Sequence, residues 1–194
     1  MAATNVDAAF GLRPANGIGP GDVGVNEYWI SPTFAVTMYI GDPVSSRAGG
    51  TGASADGIPN IILATAGATV RGVITGFAPD ATDLSLQYRK ASTSRLAYVC
   101  DDPYAVFEVQ EDSDGGAMTA SCVGTNADIV VAAGNAYTGQ SGVELDSSST
   151  TAASGQLRIL RLCRKPDNAI GTNAIWEVMI NEHELKYPTA GVAT

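Results

Sequence analysis

The chain is poor in histidine, lysine and cysteine, and it has no long apolar run. His183 is the only histidine in 194 residues. A Ser–His–acid triad needs a histidine between nucleophile and acid, and no GxSxG turn is present to seat the nucleophile. His183 lies in "NEHEL", between Glu182 and Glu184. In a strand the two glutamates share one face and the histidine takes the other, so the trio does not converge on a metal. His183 therefore reads as a solvated or interface side chain. The three cysteines, at 100, 122 and 163, are odd in number and widely spaced, which fits neither a disulfide framework nor a zinc pattern. Cys100 in "LAYVCDD" and Cys163 in "LRLCRK" read as small buried residues of a chain folded in a reducing cytosol. No window approaches the ~18 apolar residues of a membrane span, and no basic segment leads into an apolar run at the start. The chain is expected to be soluble and intracellular when made, with no membrane partner.

Positive charge is also scarce. Eleven Lys and Arg face twenty Asp and Glu, for a net charge of −9. Binding to nucleic acid depends on cations that neutralise phosphates, so that partner is disfavoured. Only three of the eleven are Lys. Arginine suits bidentate pairing with carboxylates across a protein interface, or holding loops in place. Aromatic residues make up 7% of the chain, enough for a core but few for a glycosidase groove. Charged residues reach only 16%, with Gly numbering 22, which argues against a helical bundle or a charged disordered tail.

Two local patterns imitate binding sites and fail on context. "GPGDVG" places Gly19, Gly21 and Gly24 in GxGxxG spacing, yet no strand precedes it, no helix follows and no P-loop lysine is near. Asp112 and Asp114 resemble the start of a calcium loop, but Gly116 and Val123 stand where further ligands belong. A looser oxygen-ligand site stays open there; the plainer reading is a charged hairpin end that keeps a sheet edge from pairing. No cofactor, no metal and no enzymatic activity are expected.

What is present is a succession of short apolar runs closed by turn residues. "NEYWIS", "FAVTMYIGDPV", "PNIILAT", "VRGVITGFAP", "RLAYVCDD", "YAVFEVQED", "ADIVVAAG", "GVELD", "QLRILRLCRKPDN" and "AIWEVMINEHEL" follow one another. Their spacing is close to the ~8–12 residues of an all-β sandwich or barrel. In "AIWEVMINEHEL", Trp176, Val178 and Ile180 share one face and Glu177, Met179 and Asn181 the other. In "QLRILRLCRK", Leu157 and Ile159 face one way, Leu160 and Leu162 the other. These two runs should form a hairpin in the centre of a sheet. "ATDLSLQYRKASTS" has room for a short helix and "GGAMTASCVGTNA" for a single turn. "GGTGASADG" and "DSSSTTAASG" read as long exposed loops.

Residues 1–25 form a separate compositional unit, with Pro14, Gly17, Gly19, Pro20 and Gly21 and little periodicity. "NVDAAFGLRPANG", "IGDPV", "ATAGATVRGVITGFAPD", "LQYRKASTSRLAYVCDDPYAVFEVQED", "GVELDSSS" and "LRILRLCRKPDNAIGTNAIWEVMINEHEL", in that order, resemble the decoration, or cement, proteins that bind the outside of tailed-phage heads. The resemblance runs over nearly the whole chain. It implies a jelly-roll-like β-sandwich over 26–187, an extended N-terminal arm over 1–25 and a C-terminal tail over 188–194. It implies a virion structural protein on the capsid exterior, made in the host cytoplasm. Its partners would be the major capsid protein and copies of itself, a trimer rather than a dimer. The arm would add to a partner's sheet edge, with Phe10 and Leu12 on one side and Arg13 free for a capsid carboxylate. Pro14 would lower the ordering cost, and removal of 1–15 should leave the β-domain folded. The alternatives are a tail, fibre or capsid subunit, or a glycan-binding surface module. A capsid subunit would need a long spine helix, and glycan binding an exposed aromatic platform, whereas Trp29 and Trp176 read as buried.

Overall fold

The computed structural model describes residues 5–17, 23–48, 52–151 and 153–186. The proposed tail and the glycines of "GPGDVG", other than Gly24, lie outside them. Twelve strands follow in order: β1 (Arg13–Gly17), β2 (Val25–Ile30), β3 (Pro43–Ser46), β4 (Ile61–Leu63), β5 (Gly72–Phe77), β6 (Arg95–Cys100), β7 (Ala105–Gln110), β8 (Asn126–Ala127), β9 (Ile129–Val130), β10 (Glu144–Leu145), β11 (Leu157–Leu162) and β12 (Ile175–Ile180). A single 3-10 turn, Ala120–Cys122, is the one helical element among the described residues. It sits where "GGAMTASCVGTNA" leaves room for a turn. The protein is all-β, with antiparallel sheets in a sandwich-like arrangement. One sheet has the order β1-β7-β12-β11-β8, the other β2-β6-β5-β3-β4, and β9 and β10 form a separate ladder.

The centre of the first sheet is the hairpin expected from the sequence. Trp176, Val178 and Ile180 of β12 are buried, alternating with half-buried Ile175, Glu177 and Met179. Phe107 and Val109 of β7 and Leu157 and Ile159 of β11 join them in the main core. β11 departs from simple alternation. Its register with β12 shifts between Ile159 and Arg161, and Leu162 then pairs with Trp176 and packs on the main core. A bulge adds one residue and so changes which face later side chains take. Leu160 and Leu162 therefore do not share a face.

The second sheet buries both faces. Val73 and Cys100 are paired neighbours and belong to the main core. Ile74 and Val99, one residue along, belong to a smaller cluster with Tyr28, Ile30, Met38, Val44 and Ile61. Burial pushes the Cys100 and Cys163 thiols up to about 11. The acidic stretch after β6 is not an edge guard. β7 is paired on both sides, and Glu111, just past it, is fully buried.

The 81–94 segment forms turns in place of the short helix. Asp80 and Asp83 accept hydrogen bonds from the backbone of Thr82 and Ser85 at 2.8 and 3.1 Å, a local competitor to helical bonding. Arginines hold it in place. Arg95 donates to the carbonyls of Ala78, Leu86 and Tyr88. Arg89 is buried and donates to those of Ser31, Phe34, Val36 and Thr93.

The N-terminal stretch departs most from its expected form. Residues 5–17 lie against their own chain, not away from it as an arm. Asn5 donates to the carbonyls of Ala169 and Thr172 and accepts from the Ala169 N–H. Gln110 bonds the backbone of Val6 and Ala8. β1 then pairs antiparallel with β7. Leu12 is 1% exposed, in the main core. The physical reason is a close approach of two glycines. Gly11 and Gly41 both have positive φ, and a Cβ on either would sit 2.5 Å from a backbone oxygen of the other's segment. That lets Leu12 N–H reach Gly41 O at 2.9 Å. Residues 5–15 are thus part of the domain's own packing, and their removal would take Leu12 out of the core.

Beside Gly41, Asp42 is 3% exposed; its Oδ2 accepts the Tyr39 N–H at 2.7 Å. Burial pushes its carboxyl up to about 6, against hydrogen bonds from Ser141 and Tyr39. The folded chain therefore holds this proton to higher pH than the unfolded chain. Stability falls as pH rises from about 4 to 6, and the cost, about 3 kcal/mol, stays in full above that. His183 acts with the opposite sign: burial lowers it to about 4, so its contribution is lost as pH falls from 6.5. A difference between variants separates the two. Asp42→Asn keeps an acceptor for Tyr39 and removes the charge. Chemical denaturation across this range should show the variant gaining on the parent, to about 1–3 kcal/mol by pH 7. A gap that does not widen with pH would refute a buried charge at Asp42.

Candidate functional site

The four residues singled out from the sequence come together, but not as a free clasp. Phe10, Leu12, Arg13 and Pro14 line a cavity of about 180 Å³ with Ile40, Gly41 and Ile74. The positive φ of Gly11 breaks the extended run that would have aligned Phe10 with Leu12. Leu12 is buried and so out of reach of any partner. Arg13 is exposed; its guanidinium lies 4.5 Å from the Phe10 ring centroid. It pairs in register with Glu108, whose carboxylate binds Lys165 Nζ at 2.5 Å. Across the same outer face Glu177 pairs in register with Glu108 and binds Arg161 at 2.7 Å. The outer face of the first sheet thus carries a row of charge in which Glu108 and Glu177 lie side by side, flanked by Arg13 on one edge and Arg161 on the other.

Three loops meet near the smaller core cluster and present apolar side chains to solvent. Met38 pairs with Arg89 as an isolated bridge, and the Tyr39 and Tyr88 rings stack with centroids 5.3 Å apart. Gly139 packs so closely on Gln87 that a Cβ there would lie 2.7 Å from the Gln87 Cβ. The 83–90 segment and the 136–137 turn flank a polar cleft of about 290 Å³. On the neighbouring rims Leu84 is 83% and Tyr137 96% exposed, with Val36 also exposed. The Tyr137 backbone is fixed by Asn135 Oδ1, which accepts its N–H at 2.8 Å. Nothing in the sequence marked Leu84 and Tyr137 as exposed: Leu84 opens the alternating run Leu84, Leu86, Tyr88, and Tyr137 stands alone in a polar stretch. Trp176 is fully buried, as read; Trp29 is half-buried, with its indole N–H on Ser94 Oγ at 2.8 Å.

The acidic stretch gains a member from a distant loop. Carboxylate oxygens of Asp112, Asp114 and Asp146 all lie within 4.8 Å of one another. These residues would hold an oxygen-liganded cation if one bound. Asp112 also accepts the Ser147 N–H at 3.0 Å, and Asp146 the Ser148 N–H at 2.8 Å. Nearby Glu144 is pushed up to about 7 by burial, with Asp7 and Asp112 adding to the shift.

His183 is the clearest correction. It is 1% exposed, not solvated, and burial with the Arg71 charge pushes it down to about 4. Glu182 and Glu184 do diverge from it: Glu182 Oε1 accepts Gly155 N–H and Glu184 accepts from Ser46. The opposite face of the segment is interior, where the sequence reading had placed solvent or an interface. No family model, curated protein or solved structure matches this chain.

Proposed function

We propose that this chain is a virion structural protein, a decoration protein that binds the outer surface of a tailed-phage head and stabilises contacts between major capsid subunits. In this reading its sandwich is of jelly-roll type and it works as a homo-oligomer, a trimer rather than a dimer. Two lines of support meet. The chain resembles that family over most of its length, and its loop-built end exposes Leu84 and Tyr137 on a fixed backbone in a molecule of net charge −9. Exposed apolar side chains gathered on rigid loops mark protein-contact surfaces, and an acidic exterior suits a protein kept away from packaged DNA. Arg13, exposed at the edge strand, is the one residue of the N-terminal segment proposed to reach a capsid carboxylate. Phe10 and Pro14 position it.

The test adds purified protein to heads that lack it and measures copies bound per head. Saturable binding of hundreds of copies is expected, with resistance of the heads to heat restored. The double variant Leu84→Ser with Tyr137→Ser changes two exposed side chains, so it should fold and bind at least about tenfold more weakly. Bound copies of a dozen or fewer would point to a tail or fibre component. Unchanged heat resistance on saturation would end the cementing reading.

A further inference from the structure

The polar cleft at the loop-built end has a volume of about 290 Å³. That is the small end for ligand clefts, room for one sugar ring and little more. Two tyrosines line it. The Tyr88 ring is half-buried and stacked on Tyr39, and Tyr137 is 96% exposed. Asp83, Ser85, Gln87 and Lys90 supply the polar part of the lining.

The backbone beneath these side chains is held in place, which lowers the ordering cost of binding. Leu86 N–H closes a turn on Asp83 O at 3.2 Å. Arg95 donates to the Leu86 and Tyr88 carbonyls. Asn135 Oδ1 accepts from the Tyr137 and Thr138 N–H groups at 2.8 and 3.3 Å, and Gly139 packs on Gln87. The polar side chains are not spent on one another. Asp83 accepts from the Ser85 N–H and hydroxyl through Oδ1, which leaves Oδ2. The Gln87 amide and the Lys90 ammonium have no hydrogen-bond partner among the described residues.

A hydroxyl both donates and accepts. The cleft answers both needs: Asp83 Oδ2 accepts, Lys90 donates and Gln87 does both. The electron-rich face of a tyrosine ring attracts the polarised C–H groups on the apolar face of a pyranose. A hydrocarbon would strip water from the polar lining and pair with none of it. A phosphate ester would meet Asp83 in a chain of net charge −9. We propose that this cleft binds a neutral hexopyranose, with Tyr137 as the stacking platform and Asp83, Gln87 and Lys90 on its hydroxyls.

Tyr137 also belongs to the proposed head contact, so the free full-length chain is titrated and the result does not depend on that reading. The probes are methyl β-galactopyranoside, methyl α-glucopyranoside and mannitol, followed by the backbone amide signals of ¹⁵N-labelled protein. At least one glycoside should shift the signals of 83–90 and 135–139 saturably, with half-saturation at about 1–10 mM, the range open to a ligand of about a dozen atoms. Mannitol carries hydroxyls without a rigid ring face and should bind at least about tenfold more weakly. Tyr137→Ala should weaken glycoside binding about tenfold with the rest of the spectrum unchanged, and Tyr137→Phe should keep most of it. Gln87→Ala keeps the Cβ that packs on Gly139 and should weaken binding about fivefold. If neither glycoside shifts these signals at concentrations up to about 100 mM, the site is overturned. Equal binding of mannitol overturns the pyranose class, and a Tyr137→Ala variant that binds like the parent overturns the platform.

Discussion

Trp176→Ala should cost about 3–5 kcal/mol, enough to bring a domain of ordinary stability close to unfolding. The ring is fully buried at the centre of the first sheet, between its register partners Val109 and Leu162. Its removal leaves a cavity that strands paired on both sides cannot collapse into. A second loss follows from its indole N–H, which donates to Glu111 Oε2 at 3.2 Å. Glu111 is itself fully buried, and burial raises its carboxyl above the ordinary value. Without the indole it keeps the Met118 N–H and the Ser113 hydroxyl. Trp176→Phe separates the two losses, since it fills most of the volume and deletes the donor. Its expected cost is about 1–3 kcal/mol, mostly the weaker solvation of Glu111. Urea denaturation should rank the parent first, Trp176→Phe second and Trp176→Ala last. A Trp176→Ala cost below about 1 kcal/mol would mean that the packing around this residue is not what holds the sheet.

The side chains that sequence reading placed correctly obey a local period. β12 alternates without interruption, so Trp176, Val178 and Ile180 could be assigned to the core directly. β11 carries the same apolar signal, but its bulge depends on the partner strand and leaves no mark in its own residues. The N-terminal segment was misread for a related reason. Its composition says irregular and extended, and that is correct for many of its residues. What seats it is Gly41, thirty positions from Gly11, and Gln110, further still. His183 shows the limit of parity: alternation separated it from Glu182 and Glu184, but could not say which side was solvent. Asp146 joins Asp112 and Asp114 only through the fold. Elements were legible where the physics was local; sites were not, because each is assembled from separate loops.

Arg89 is the extreme case, and substituting it should cost about 2–4 kcal/mol. In "LQYRKAST" nothing sets it apart from the other arginines, which read as interface pairing or as holding loops in place. In the fold it is fully buried, with no carboxylate beside it among its described partners. Burial pushes its pKa down to about 10, which leaves it charged at neutral pH. The charge is carried by backbone carbonyls: Ser31 and Phe34 at 2.9 and 2.8 Å, Val36, and Thr93 at 2.9 and 2.7 Å. A planar fork with five N–H groups can serve four oxygens at once. Arg89→Met keeps the stem and strands those acceptors, so the 31–38 and 88–93 loops should open to water. Arg89→Lys restores the charge but has only three donors on one nitrogen, and should recover less than half of the loss. Hydrogen exchange should show faster exchange in those two loops, with β7 and β12 changing only through global stability. The opposing physics is clear: replacing a buried ion by an apolar side chain relieves a desolvation cost and sometimes stabilises. If Arg89→Met is as stable as the parent, desolvation outweighs the carbonyl cage and the arginine is not what joins the loops. If Arg89→Lys alone matches the parent, charge and not the geometry of the fork is what the loops require.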